Sequence, residues 1–226
     1  MRGRIFSDCS MFTRFREQDV PVSAVSHANG FAPGFDITAA LTAVCEDMSV
    51  RIRELEHVKM EQVALSYSQA RRGTPHGMLA KLTPLRFEGG ALTTFRGGQL
   101  MTIQRLVSAG IEQRYILSVY LPRFFDLPFH EKLNTLIHEL YHISPRFDGD
   151  IRRFPGRCFA HSESHRSYDE IVQMLLDGYL RRRSPRLPLL RFLHHDFVTL
   201  RRTHVEIVGS RIPIPKLIPI RESRVA

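Results

Sequence analysis

The stretch PFHEKLNTLIHELYHISP, residues 128–145, decides the fold of the middle of the chain. Its apolar residues recur every three or four positions, which is the period of a helix with one buried face. They are Phe129, Leu133, Leu136, Ile137 and Leu140. Asp126 stands where an N-cap residue would, and Pro128 fits the first turn. Because Ser144 and Pro145 then interrupt the pattern, we predict an amphipathic helix over residues 128–143.

This helix carries the pentapeptide His-Glu-Leu-Tyr-His, residues 138–142. Positions i and i+4 lie one turn apart on the same face, so His138 and His142 can present two imidazoles to one ion. The H-E-x-x-H arrangement is typical of zinc sites. The pattern therefore predicts Zn2+ as the cofactor, with His138 and His142 as ligands and Glu139 as the general base on a zinc-bound water.

Two histidines do not complete a catalytic zinc site, which usually has three protein ligands and one water. His142 is followed by ISPRFDGD, so a third ligand must come from farther along the chain. The candidates are His161, Glu163 and His165. We favour His161, because a residue in the loop before the next helix can adjust its backbone to reach the ion. His165 is the reserve candidate, since the register of that helix restricts it.

Cys158 leaves a different kind of zinc site open. With His161 it forms a Cys-x-x-His pair, which could join His138 and His142 in a closed tetrahedral site. A closed site holds no water and performs no hydrolysis, so it would only stabilise the fold. The plainer interpretation of Cys158, and the one we favour, is a small buried apolar residue without any metal.

The segment HELYHISPRFDGDIRRFPGRCFAH, residues 138–161, resembles small metallopeptidases of phages and bacteria, a zincin-like group of compact H-E-x-x-H proteins. The resemblance extends over residues 110–180 and is specific within residues 138–161. It implies an α+β fold: a zincin-like minimal metalloprotease domain with a small mixed sheet packed against the H-E-x-x-H helix and neighbouring helices. It also implies hydrolysis of peptide bonds by Glu139, with His138, His142 and His161 as the zinc ligands.

Other segments predict the surroundings of this helix. Asp36 has the position of an N-cap, and apolar residues at helical spacing behind it predict a helix over residues 37–58. Strands are predicted over the ranges 63–67, 78–87 and 115–121, and Pro84 places the second of them at a sheet edge or bulge. GGALTTFRGG, residues 89–98, is typical of a loop, whereas residues 99–110 fit either a helix or a strand.

A last helix begins at Ser164 or at Ser167, where Ser167 and Glu170 match a capping box. Its apolar stripe consists of Tyr168, Ile171, Val172, Leu175 and Tyr179. The sequence RIPIPKLIPI near the C-terminus must be extended, because proline recurs every few positions. The predicted organisation is a loose N-terminal arm over 1–35, a zincin-like metallopeptidase domain over 36–185 and a partly extended C-terminal extension over 186–226.

Composition narrows the class of protein. The chain has 226 residues, 43% of them hydrophobic, which is enough for one sizeable core. It contains no run of about 18 apolar residues, so we expect neither a transmembrane helix nor a membrane partner. Three cysteines are too few for a disulfide framework. Because the N-terminus also lacks the apolar stretch of a secretory signal, we expect a cytoplasmic protein.

The net charge of +9, from 32 Lys and Arg against 23 Asp and Glu, is compatible with weak nucleic-acid binding. A solvated basic surface is the plainer interpretation, because the arginines are spread in pairs and triplets without interleaved aromatic residues. The leading hypothesis is a zinc metallopeptidase that acts on a protein or peptide. The alternatives are a zinc-stabilised interaction module without enzymatic activity and a nucleic-acid-associated module.

Replacing the two candidate third ligands separates them. We expect His161→Ala to lower zinc affinity by orders of magnitude, because it removes a direct ligand. His165→Ala should change the affinity only a few-fold, as for a group that supports the site from outside. A zinc-competition titration of both variants measures this, and the reverse ranking would make His165 the ligand.

Overall fold

The computed structural model of the chain describes residues 34–69, 77–154, 165–182 and 187–220. Its strands are β1 (Phe35–Asp36), β2 (Val63–Gln69), β3 (Ala80–Pro84), β4 (Thr93–Arg96), β5 (Gln99–Ile103), β6 (Val107–Ser108), β7 (Ile111–Glu112), β8 (Tyr115–Leu121), β9 (Ile207–Val208) and β10 (Leu217–Pro219). Its α-helices are α1 (Ile37–Arg51), α2 (Phe129–Tyr141), α3 (His165–Arg182) and α4 (Phe197–Thr203). Short 3-10 helices cover Arg53–Leu55, Met60–Gln62, Glu88–Gly90 and Pro188–His194. The architecture is α+β, as predicted.

A three-stranded sheet in the order β2-β8-β3 lies at the centre of this arrangement. β8 is parallel to β2 and antiparallel to β3, so β3 forms an edge, where Pro84 is tolerated. The predicted bounds of β8 are confirmed, and its continuous apolar run reflects its position in the middle of the sheet. α1 contacts β2, α2 contacts β3, and the two helices contact each other, so they enclose the core against the sheet.

α1 begins as predicted and ends earlier than predicted. The Asp36 carboxylate accepts hydrogen bonds from the amides of Thr38 and Ala39, each at 2.9 Å, which confirms the N-cap. The helix stops at Arg51 because Ile52 adopts an extended conformation, with φ −101° and ψ 112°. Residues 52–58 nevertheless continue the buried stripe through the 3-10 turn, so apolar spacing alone overestimated the length of the helix.

α2 confirms the predicted helix, but not its predicted cap. Pro128 occupies the N-cap position, and no side chain caps the helix there. The Asp126 carboxylate instead accepts a hydrogen bond from the amide of Phe197 at 3.3 Å. Asp126 therefore joins the start of α2 to α4, and the predicted role as N-cap is wrong. The apolar stripe is confirmed, since Leu133, Leu136, Ile137 and Leu140 are fully buried.

A second sheet, in the order β10-β5-β4, corrects the prediction of a loop over residues 89–98. β4 and β5 form a hairpin around Gly97 and Gly98, whose φ angles of 58° and 76° suit the tight turn. Residues 99–110, which fitted either structure, contain strands β5 and β6 and no helix. β10 pairs with β5, so the proline-rich segment is extended, as predicted. This sheet contributes no side chain to the core.

The C-terminal residues also contribute to the core. Leu190, Leu193 and Leu200 are fully buried, and Phe35 of β1 pairs in parallel with Ile207 of β9. Residues 1–33 of the predicted arm lie outside the described residues. No helix in the described part of the chain is long and apolar enough to cross a bilayer.

α3 begins at His165, so Ser167 lies inside the helix and the predicted capping box is wrong. The alternative cap, Ser164, lies outside the described residues. The predicted stripe is confirmed, because Tyr168, Val172, Leu175 and Tyr179 are buried and Ile171 packs against them.

Lys132 is a buried cation on α2, with 1% of its surface exposed. Its ammonium group donates hydrogen bonds to the carbonyls of Leu193 at 2.8 Å and His195 at 2.7 Å. Burial lowers the pKa of Lys132 to about 8, and the carboxylates of Asp126 and Asp196 oppose that shift. Lys132 thus joins the middle of α2 to the end of the 3-10 helix over residues 188–194.

We expect Lys132→Met to lower the free energy of unfolding at pH 7 by about 1–3 kcal/mol, because two buried carbonyls lose their donor. The difference between wild type and variant should widen from pH 8 towards pH 10. Above its folded pKa of about 8, Lys132 is neutral in the native state but still protonated in the unfolded state. Urea unfolding across this pH range, with exposed Lys216→Met as the control, measures the effect. A difference that narrows above pH 8 would contradict it.

Candidate metal centre

α2 brings the two histidines of the pentapeptide together. The Nε2 atoms of His138 and His142 lie 3.1 Å apart, and the ring planes are inclined at 82°. Two nitrogens on a tetrahedral zinc ion are about 3.3 Å apart, because each Zn–N bond is about 2.0–2.1 Å long. The two imidazoles therefore already converge as a zinc ion requires, and the residue types and their spacing fit this metal.

A third ligand is not found within the described residues. Among residues 34–69, 77–154, 165–182 and 187–220, no group of three or more His, Cys, Asp and Glu side chains could hold a metal ion. Cys158, His161 and Glu163 lie outside these ranges. Of His165 the structure describes the backbone alone. The identity of the third ligand, and the closed site with Cys158, therefore stay predictions.

Glu139 faces the edge of the central sheet. Its Oε2 accepts a hydrogen bond of 2.7 Å from the amide of Leu82 on β3. The odd-numbered residues on either side turn their backbone groups towards β8 and its flanking residues. The Leu79 carbonyl accepts a hydrogen bond from the Tyr120 amide, and the Leu85 amide donates one to the Arg114 carbonyl. Because backbone groups alternate in an antiparallel pair, the amide of Leu82 points outward, towards α2.

The surroundings of Glu139 shift its acidity. Burial raises the pKa of Glu139 to about 7, while the Leu82 amide and the charge of Lys81 act in the opposite direction. A carboxyl group in this range can exchange a proton near neutral pH. A cleft of about 270 Å³ opens beside it, between β3 and α2. Its walls include Leu79, Ala80, Asn134, His138 and Glu139.

The loop after α2 is held by Tyr115 of β8. The buried Tyr115 hydroxyl accepts a hydrogen bond from the Gly149 amide and donates one to the Asp150 carbonyl, both at 2.9 Å. Gly149 has φ 89°, and a Cβ atom there would overlap the side chain of Arg86. Asp148 and Asp150 therefore flank a turn that requires glycine at its centre. An isolated β-bridge between Ile143 and Ile151 closes the loop.

Asp150 does more than form this turn. Its carboxylate is 4% exposed and accepts hydrogen bonds from the amides of Gly89 at 2.9 Å and Ile151 at 2.8 Å. Arg153 donates two more, at 2.9 and 3.0 Å. Burial opposes ionisation of Asp150, but these donors together lower its pKa below the ordinary value. The carboxylate thereby joins the loop after α2 to the turn before β4.

Arg152 returns the chain to the end of α2. Its amide donates to the His142 carbonyl at 2.6 Å, and its Nε donates to the Tyr141 carbonyl at 2.8 Å. The guanidinium also lies over the Tyr141 ring, 4.1 Å from the centroid. Carbonyls at the end of a helix lack partners within the helix, so Arg152 satisfies two of them.

Tyr168 joins the end of the loop after α2 to the histidine pair. Phe154, the last described residue of that loop, packs on Tyr168 with ring centroids 5.9 Å apart. α3 begins three residues before Tyr168. Tyr168 itself contacts both His138 and His142.

The sequence indicated the three pentapeptide residues but not the groups that hold them and the adjoining loop in place. The Leu82 contact is made by a backbone amide, which no sequence pattern reveals. Tyr168 was predicted as a member of an apolar stripe, and no partner was predicted for Asp150. The signal for Asp150 was its place in a short charged run, Asp148 to Arg153, which is equally typical of a solvated loop.

Comparisons with protein-family models, with curated proteins and with solved structures find no match to this chain. The resemblance to small metallopeptidases therefore depends on the residues of the 138–161 segment themselves.

We expect Asp150→Asn to lower the free energy of unfolding by about 2–3 kcal/mol. It removes a buried charge that Arg153 needs and places an amide group against other donors. Asp148→Asn is the matched control. Asp148 forms an ion pair with Arg146, whose side chain is 71% exposed, and accepts a hydrogen bond from the Asp150 amide at 3.2 Å. Asparagine can still accept that hydrogen bond, so the loss should stay below about 1 kcal/mol. Urea unfolding of both variants measures the difference, and equal losses would contradict the assigned role of Asp150.

Proposed function

We propose that this protein is a zinc-dependent metallopeptidase. One observation carries the proposal: two imidazole nitrogens lie 3.1 Å apart, and the residue between them in the pentapeptide extends a carboxylate into an adjoining cleft. In the metal-free protein one ring can donate a hydrogen bond to the other at this distance, and a zinc ion would replace that bond. The α+β architecture, with an edge strand beside the pentapeptide helix, is compatible with the zincin-like domain that the resemblance implies.

His138 and His142 would hold the metal, with His161 as the third ligand and His165 in reserve. When bound, zinc supplies a Lewis acid that polarises the scissile carbonyl and makes an attacking water more acidic.

Glu139 supplies the proton transfers. The Leu82 amide holds Oε2, so Oε1 is the atom that takes the proton from the attacking water. Once protonated, the carboxyl group can deliver that proton to the leaving amine. In the metal-free protein burial raises the pKa of Glu139, which favours this protonated form. The same hydrogen bond keeps the carboxylate at the cleft wall through both transfers.

The edge of β3 favours a peptide as the substrate. The backbone N–H and C=O groups of Leu82 point away from β8. By the same alternation so do those of Ala80, which lines the cleft. An extended chain can add to such an edge through main-chain hydrogen bonds. These bonds recognise the peptide backbone and leave specificity to pockets for its side chains.

We further propose that the protein acts in the cytoplasm, on the grounds of composition given above. Cys45 is a free thiol buried in the core and is compatible with a reducing compartment.

The test of this function is Glu139→Gln. Glutamine keeps the side-chain volume and can still accept the Leu82 hydrogen bond, but it cannot take a proton. We expect hydrolysis of a casein-type substrate to fall at least about a hundredfold, as for loss of a general base. Zinc content, measured by metal analysis, should be unchanged.

Glu131→Gln is the matched control, because Glu131 is an exposed residue on the same helix. It should retain both zinc and hydrolysis. A Glu139→Gln variant as active as the wild type would show that the mechanism is wrong. A wild-type protein that binds zinc but cleaves nothing would favour the closed structural site, and one with less than half an equivalent of metal would favour an ordinary helix.

A further inference from the structure

We infer that Tyr168 is a positioning residue that holds both imidazoles in the orientation in which they meet a metal ion. Tyr168 is fully buried on α3, the helix packed against α2. Its ring stacks on His142, with centroids 5.0 Å apart and planes inclined at 22°. It also meets His138 at 4.8 Å and 66°. One side chain thus restricts the ring orientations of both histidines.

The hydroxyl of Tyr168 adds a second constraint, on the backbone. It donates a hydrogen bond of 3.0 Å to the carbonyl of His138. The amide of His142 bonds to the Glu139 carbonyl at 3.2 Å, three residues back, so the helix tightens at its end. The Tyr168 hydroxyl therefore joins α3 to the turn from which His142 projects.

The consequence for metal binding is preorganisation. An imidazole on a helix samples more than one rotamer, and a metal ion that needs two of them in one arrangement must pay for ordering both. Because Tyr168 orders them beforehand, its ring should raise metal affinity without being a ligand. This consequence rests on the proposed function, whereas the orientation of the rings does not.

A tyrosine on the same helix provides the comparison. Tyr179 is 1% exposed, and its hydroxyl donates to a carboxylate oxygen of Asp47 at 2.8 Å. It lies eleven residues, about three helical turns, beyond Tyr168. Substitutions of Tyr179 therefore reproduce the loss of a buried ring and of a hydroxyl hydrogen bond without altering the histidine pair.

The experiment compares Tyr168→Leu with Tyr179→Leu, and Tyr168→Phe with Tyr179→Phe. Zinc affinity is measured by chelator competition, and stability by thermal unfolding. We expect Tyr168→Leu to lower zinc affinity at least tenfold. Tyr168→Phe, which keeps the ring, should lower it only a few-fold. Both Tyr179 variants should bind zinc as the wild type does, even though Tyr179→Leu also lowers the melting temperature.

Equal losses of affinity in the two leucine variants would reflect general loosening and would overturn the inference. If the leucine variants do not fold, the His142 resonances of the metal-free wild type decide: ring protons without the shift that a stacked aromatic ring causes would overturn the inference.

A readout without zinc separates this inference from the proposed function. In the metal-free protein, the stacked Tyr168 ring should shift the ring-proton NMR resonances of His142. Tyr168→Leu should abolish that shift, and Tyr179→Leu should leave it in place. If the wild type binds no zinc, the proposed function fails, and these resonances still decide whether Tyr168 orients the histidines. A His142 spectrum unaffected by Tyr168→Leu would overturn the inference.

Discussion

The hydrogen bond between the Leu82 amide and the Glu139 carboxylate fixes which face of α2 is turned towards the central sheet. Successive residues on a helix are separated by about 100° around its axis. With Glu139 turned towards β3, His138 and His142 must therefore face the side on which α3 packs. A single buried contact between a carboxylate and a backbone amide thus assigns the base to the sheet and the imidazoles to the neighbouring helix.

The groups around α2 act in series rather than independently. Tyr115, in the central strand, holds the turn at Gly149, and this turn allows Asp150 to meet Arg153. Arg152 then binds the end of α2 and leads the chain back to the histidines. A succession of hydrogen bonds therefore joins the sheet, the loop and the end of the helix.

Features of the site that are local in sequence were predictable, and those that depend on distant partners were not. The strand over 115–121, the Asp36 cap and the convergence of His138 with His142 each follow from short-range spacing and residue type. Asp126 looked like a cap because its true partner, the amide of Phe197, lies 71 residues away. The Leu82 amide has no side-chain signature at all. The end of α1 was missed because a 3-10 turn continues the same apolar period.

The hairpin over β4 and β5 was missed for a different reason: its strands lack the apolar alternation of a buried sheet, because neither is buried. Together with β10 they form a sheet that contributes no side chain to the core, and Phe95 is 76% exposed on it. Such a unit can open and close without carrying the rest of the molecule through its unfolding transition. Its amide protons should therefore exchange with solvent through local fluctuations, far faster than those of β8. It is also a part of the chain in which evolution could lengthen, shorten or replace the hairpin while the helix and the central sheet remain intact.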